Sequence, residues 1–272
     1  MKYWLNLYRA NLRVAIASML QYRFTILIWA VWGFIGPLIS LAVWSAASAA
    51  RGGTIVNKAT GASFAAGDFA AYFLVYMIFG HLMMSWDAFE FASRVQNGGL
   101  SPALLKPVHP IHRDASSNIA FKLTTSAMLL PVWALLFWML KPHITLSALS
   151  VLALPALALG CVLRYVLQYT LALAAFWTTR VDAINQLYNT LDSFLAGRIA
   201  PISLMPAWIA GFALYSPFRA MGSFPVELAL GRVPVEQILP GFALQIGWLC
   251  AAVVLLRLMW AAGIRQYSSV GA

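Results

Sequence analysis

Charge is what this sequence has least of. Lys and Arg number 18 and Asp and Glu only 8, so charged residues make up 10% of the 272 positions. An ordinary soluble domain carries about 25%. A soluble globular fold is therefore excluded, and the 62% hydrophobic content points to a polytopic membrane protein. Cysteine is nearly absent. Cys161 and Cys250 each lie alone in an apolar stretch, which predicts neither a disulfide framework nor a metal site. No G-x-x-x-x-G-K-[ST] phosphate loop occurs, so the chain has no such site for hydrolysing ATP. There is no G-x-S-G with a partnering His, and Asp68 has no second Asp beside it. A lipid-modifying enzyme or an intramembrane protease would need such a nucleophile–base or paired-carboxylate site. No repeat relates the two halves, as an ion-driven transporter of inverted-repeat design would require. The first 23 residues lack a compact apolar core followed by a small-residue cleavage site, so no cleavable signal peptide is expected.

What remains is a series of apolar runs. Residues 1–23 read as an interfacial amphipathic helix: Trp4, Leu5, Tyr8, Leu12, Ile16 and Met19 share one face, while Lys2, Asn6, Arg9 and Arg13 lie on another. Packing on the protein itself is the alternative use of that face. Six spans are expected at 24–49, 69–91, 119–140, 146–177, 183–200 and 237–260. A polar loop of small residues fills 50–68. Residues 201–236 are broken by Pro201, Pro206, Pro217, Pro225 and Pro234, leaving short apolar pieces near 207–216 and 222–231, which read as an extracytoplasmic re-entrant pair. The expected architecture is thus all-α, in a single membrane domain.

The net charge of +10 would suggest nucleic acid in a soluble protein. Here the bias of Lys and Arg toward cytoplasmic borders accounts for it. With the N-terminus inside, the inner segments hold Lys2, Arg9, Arg13, Arg23, Arg94, Lys106, Arg113, Arg180 and Arg265; the outer ones hold Arg51, Lys58, Lys141, Arg219 and Arg232. Both termini are expected to be cytoplasmic.

Three polar groups stand out. Asn185, Asn189, Asp192 and Ala196 recur on one face of the fifth span. Polar residues inside a membrane are costly and face an interior path or one another. This face is either a translocation path or permease interface, or a set of helix-to-helix hydrogen bonds. Arg164 on the fourth span is at a depth suited to pairing with Asp192. Asp87 and Glu90 sit one turn apart at the inner end of the second span, placed to attract a cationic substrate or to pair with Arg94 and the N-terminal helix. His109-x-x-His112 has flanking prolines and no third strong ligand, so no metal is expected there.

The segment 92–118 contains GGLSPALLKPVHP, with Gly98, Leu100, Leu104, Pro107 and Pro110 at fixed spacing. It resembles the cytoplasmic coupling segment of type-2 ATP-binding-cassette (ABC) exporter permeases. FLAGRIAPISLMP, with Phe194, Gly197, Pro201 and Pro206, looks like that superfamily's signature at the outer end of the fifth span. YSPFRAMGSFPVELALG, with Pro217, Phe218 and Pro225, is similar to the segment before the last span in a branch that includes bacterial viologen and drug exporters. The chain carries Ser101-Pro102 where many relatives carry an acidic residue. The resemblance implies an ABC ATPase dimer as partner, with ATP and Mg²⁺ bound there and no cofactor in this chain. It also implies a second permease chain, identical or related, in a bacterial inner membrane, and an exported substrate that is hydrophobic, cationic or lipid-like. Under it, Leu100, Leu104 and Leu105 would fill an ATPase groove, with Arg94, Lys106 and Arg113 at its rim. The prolines would stiffen the segment, so that motion of the ATPase reaches spans two and three.

Overall fold

The computed structural model describes residues 2–178 and 180–267. Among them, five helical runs are long and apolar enough to cross a membrane: Val31–Ala50, Ala66–Gln96, Pro110–Leu140, Ala148–Phe176 and Val235–Gly263. Helix α1 (Lys2–Gln21) has no buried residue and lies along the start of α6 (Pro110–Leu140), after which α2 (Arg23–Ala50) begins. Helix α7 (Ala153–Ala172) is extended at both ends by 3₁₀ turns, and α12 (Val235–Gly263) packs along it. The all-α polytopic architecture expected from composition is what is found.

Several boundaries differ from expectation. The second span is two helices, α3 (Ala66–Met83) and α4 (Asp87–Gln96), separated at residues 84–86 by extended backbone at Met84. The fifth is α8 (Val181–Leu195), only 15 residues. At 1.5 Å per residue it is about 22 Å long, short of the roughly 30 Å hydrocarbon core. Helix α6 starts at Pro110, well before the expected span, so residues 110–118 are helical. Between them, α5 (Ser101–Leu104) is one short turn.

The polar loop 50–68 is also ordered. Its ends form an antiparallel hairpin, β1 (Thr54–Val56) with β2 (Ser63–Ala65), in which Ile55 faces Phe64. Both side chains are buried. Arg232 lies 3.9 Å above the Phe64 ring and 2.8 Å from Asp68, whose Oδ2 accepts the Ala65 N–H at the start of α3. The hairpin is tied to the 201–206 segment by the Asn57 amide, which donates to the Ser203 carbonyl at 2.8 Å.

The proline-rich segment folds as three short helices: α9 (Ala207–Tyr215), α10 (Pro217–Met221) and α11 (Ser223–Ala229). Pro217 begins α10 at a position where a missing N–H is harmless, behind the Ser216 cap. Pro225 is buried in α11. An ion pair absent from the sequence expectations, Arg219–Glu227 at 2.9 Å, joins these two helices. Gln245 of α12 donates to the carbonyls of Ala220 (2.7 Å) and Ala156 (2.9 Å), fixing α10 between α12 and α7.

The connections sort to two ends of the bundle. One end carries the hairpin, the 141–147 turn and the 201–234 segment. His143 N–H donates to the Gly67 carbonyl there. The other end gathers α1, α4, α5 and the C-terminal residues: Tyr8 Oη lies 2.9 Å from His112 Nδ1, and Ser101 Oγ lies 2.9 Å from Tyr267 Oη. The N-terminal helix and the end of α12 therefore share the side that holds GGLSPALLKPVHP.

Candidate functional site

Two places draw the singled-out residues together. The first is the base of the bundle around α5. Gly98, at φ 72°, turns the chain out of α4, a backbone region that glycine enters without strain. The Leu100 N–H then returns to the Arg94 carbonyl at 3.1 Å. Leu100 itself is fully buried among Phe91, Tyr169 and Leu173. It does not reach a partner surface as expected, because the tight turn at Gly98 swings it under α4. Leu105 has the opposite fate and is 89% exposed. Pro102, Lys106 and Pro107 are exposed beside it, and Leu104 is half-buried. The outward face of the segment is therefore Pro102, Leu105, Lys106 and Pro107.

Arg94 is half-buried and engaged within the chain. Its guanidinium makes a bidentate contact with Asp114, at 3.0 and 2.6 Å, and Tyr169 donates to the same carboxylate at 3.1 Å. This cluster binds α4 to α6 and α7. Tyr165 adds a bond from α7 to the Ile111 carbonyl at 2.9 Å. The coupling-like segment is thus mounted on a braced base. Arg113 is exposed. It lines a cavity of about 270 Å³ between α1 and the 106–110 strand of chain, together with Tyr3, Asn11 and Lys106. The two histidines are engaged locally: His112 meets Tyr8, and His109 accepts the Ile111 N–H at 3.2 Å and packs on Trp260. Burial pushes the His109 pKa down, and nearby His112 pushes it the same way against the pull of Asp114.

The second place is a cavity of about 310 Å³ between α2, α3, α7 and α8. Its polar lining includes Tyr76, His81, Ser85, Arg164, Gln168, Asn189, Asp192 and Arg198; Phe34, Met77, Met83 and Phe89 supply apolar walls. Arg164 and Asp192 form a direct ion pair, as their depths in the sequence suggested; Asp192 is buried and the Arg164 side chain is 13% exposed. The face Asn185–Asn189–Asp192–Ala196 is split by its surroundings. Asn185, Asp192 and Ala196 are buried, whereas Asn189 is exposed at the cavity. Glu90 is exposed and acts electrostatically on Arg94, four residues on; it does not line the cavity. Asp87 opens α4, and its side chain lies outside the described residues.

The FLAGRIAP segment closes one end of this cavity. Phe194 is exposed; Gly197 and Pro201 are buried. Gly197, at φ 80°, accepts a hydrogen bond from Tyr72 at 2.9 Å, and the next residue sends its side chain toward α2. Pro206 is exposed at the start of α9; Phe218 packs against Tyr188. Sequence reasoning missed Gln168 and Tyr76, which carry no motif, and Arg198, which occupies an unspecified position of FLAGRIAPISLMP. Gln168 alone had a legible signal: it is a polar residue four positions after Arg164.

No curated protein matches the chain. A family model described as "ABC-2 family transporter protein" matches residues 62–271. That interval takes in α3 to α12, and with them both clusters except for the contributions of α1 and α2. The chain belongs to the ABC-2 family of transporter proteins.

Proposed function

We propose that this permease component of an ABC transporter exports an amphiphilic, lipid-like molecule, driven by a separate ATPase docked on the face of α5. The observation that carries the reading is the division of labour in GGLSPALLKPVHP. Leu100 and Arg94 lock the segment to α4, α6 and α7, while Leu105 projects 89% exposed between exposed Pro102 and Lys106. A large apolar side chain on a rigid mount is suited to a partner's groove. ATP and Mg²⁺ belong to that partner, two ATPases serving two permease chains. Force applied at α5 passes to α4 and α6 through Arg94–Asp114, and through Tyr169 to α7, whose Arg164 and Gln168 line the cavity. The membrane is a bacterial inner membrane, with α1, α5 and the end of α12 on the cytoplasmic side.

The test separates docking from folding. Leu105→Ala should leave the melting temperature of the purified chain unchanged and reduce transport-linked ATPase stimulation at least about tenfold, the loss expected of a hot-spot side chain. Leu100→Ala should instead lower stability by about 2–5 kcal/mol, as truncation of a buried leucine does. Copurification of the partner ATPase with wild-type chain but not with Leu105→Asp would support the assignment. ATPase binding and stimulation that ignore Leu105 would overturn it.

A further inference from the structure

We propose that the cavity between α2, α3, α7 and α8 binds the anionic head of an amphiphile and disfavours cations. This rests on the transport reading above and names the charge class of its substrate. Three charged residues line the cavity among those described: Arg164, Asp192 and Arg198. Asp192 is 2% exposed and already engaged by Arg164. A cation entering the cavity would have to separate that pair and leave a largely desolvated guanidinium uncompensated. Arg198 differs. It has no ion pair or hydrogen bond among the described residues, and it is exposed. Its Nε and Nη2 lie over Gly36 of α2, 3.7 Å from where a side-chain carbon there would sit, so the guanidinium rests against α2 at the cavity wall. The described lining therefore carries one positive charge in excess.

The rest of the lining fits the same ligand. Asn189 offers an exposed amide, and Gln168, 9% exposed, has an Oε1 with no partner. An anionic head that also bears a hydroxyl or N–H group would satisfy both. Phe34, Met77, Met83 and Phe89 provide an apolar wall for a hydrocarbon tail, and flexible methionines adapt to tails of varied shape. A planar guanidinium suits a carboxylate or phosphate, which it can hold through two hydrogen bonds. The ligand is either a membrane lipid head group or a free amphiphile of the same chemistry.

The experiment places the full chain in nanodiscs of neutral phosphatidylcholine. Binding is read by fluorescence anisotropy with two probes of matched tail, a labelled dodecanoate and a labelled dodecyl-trimethylammonium. Wild type should bind the anion about tenfold more tightly than the cation, a modest fraction of what one close charge contributes at low dielectric. Arg198→Gln should abolish that preference, and Arg198→Glu should reverse it, both without change in melting temperature because Arg198 has no partner to lose. Equal or tighter binding of the cation by wild type, or an anion affinity indifferent to Arg198, would overturn the proposal. Repeating the titration with phosphatidylglycerol in the disc assigns the source: displacement of dodecanoate identifies a lipid head group, and no displacement identifies a free amphiphile. Because no ATPase is present, the result is independent of docking at Leu105. The anion site can stand if that docking fails, and it can fall while docking holds.

Discussion

Asp192→Asn should destabilise the chain by about 3–5 kcal/mol, the penalty for stranding one member of a buried ion pair. Asp192 is 2% exposed, and the Arg164 side chain beside it is 13% exposed, within electrostatic reach of Tyr76 and Tyr188. Asparagine keeps the shape and removes the charge, so the guanidinium is left in a low-dielectric site with no counter-ion. The pair links α7 to α8, and α8 has little else to hold it: it is 15 residues long, and its buried set is Val181, Asn185, Tyr188, Asp192 and Leu195. Loss of monodisperse protein on heating, followed by fluorescence-detected size exclusion, measures the effect. The double variant Arg164→Met with Asp192→Leu should recover most of the loss, since replacing both partners by apolar groups of similar volume is often neutral or better. If the single variant melts with wild type, the pair is not structural. If the double variant is as unstable as the single one, some role other than mutual neutralisation holds it. The double variant should also keep its preference for the anionic probe, because Arg198 remains.

Apolar run length made the spans legible, and depth made the Arg164–Asp192 pair legible. Both are one-dimensional properties: where a run begins and how far along it a polar residue sits. What stayed hidden depended on neighbours. The break at 84–86 contains no proline or glycine, in the sequence Met84-Ser85-Trp86. Trp86 there meets the edge of Phe121 with ring centroids 5.3 Å apart, a contact no local pattern encodes. The hairpin at 54–65 was hidden because its two buried residues, Ile55 and Phe64, stand isolated in small polar surroundings. Three residues per strand are too few to show a period of two. Leu100, Leu104 and Leu105 look equivalent as letters. Their fates diverge because Gly98 adopts a left-handed backbone and a one-turn helix follows, so one leucine points inward and one outward. Arg198 has no partner and no motif of its own. It became visible only when α2 presented Gly36 to it.

Gly197→Ala should be strongly damaging for a single-methyl change, costing about 2–5 kcal/mol. Two physical effects contribute. At φ 80° a residue with a side chain sits in the left-handed region, at roughly 1–2 kcal/mol. The added carbon would also collide with the Tyr72 hydroxyl and come within 2.9 Å of the Ser223 side chain. Overpacking of this kind costs about 1–3 kcal/mol. Tyr72 cannot retreat, because it is fully buried between Phe73 and Tyr76 and its hydroxyl donates to the Gly197 carbonyl. Tyr72→Phe alone should cost about 1 kcal/mol for the lost hydrogen bond. Combined with Gly197→Ala it should relieve the collision, so the double variant is more stable than the sum of the two predicts. Strict additivity would show that the Tyr72 hydroxyl contributes nothing to the cost, and wild-type stability of Gly197→Ala would remove the glycine's structural role altogether. The turn also aims the neighbouring Arg198 over Gly36, so Gly197→Ala should weaken dodecanoate binding in chains that still fold. Residual binding at wild-type strength would mean that Arg198 finds the cavity without the left-handed turn.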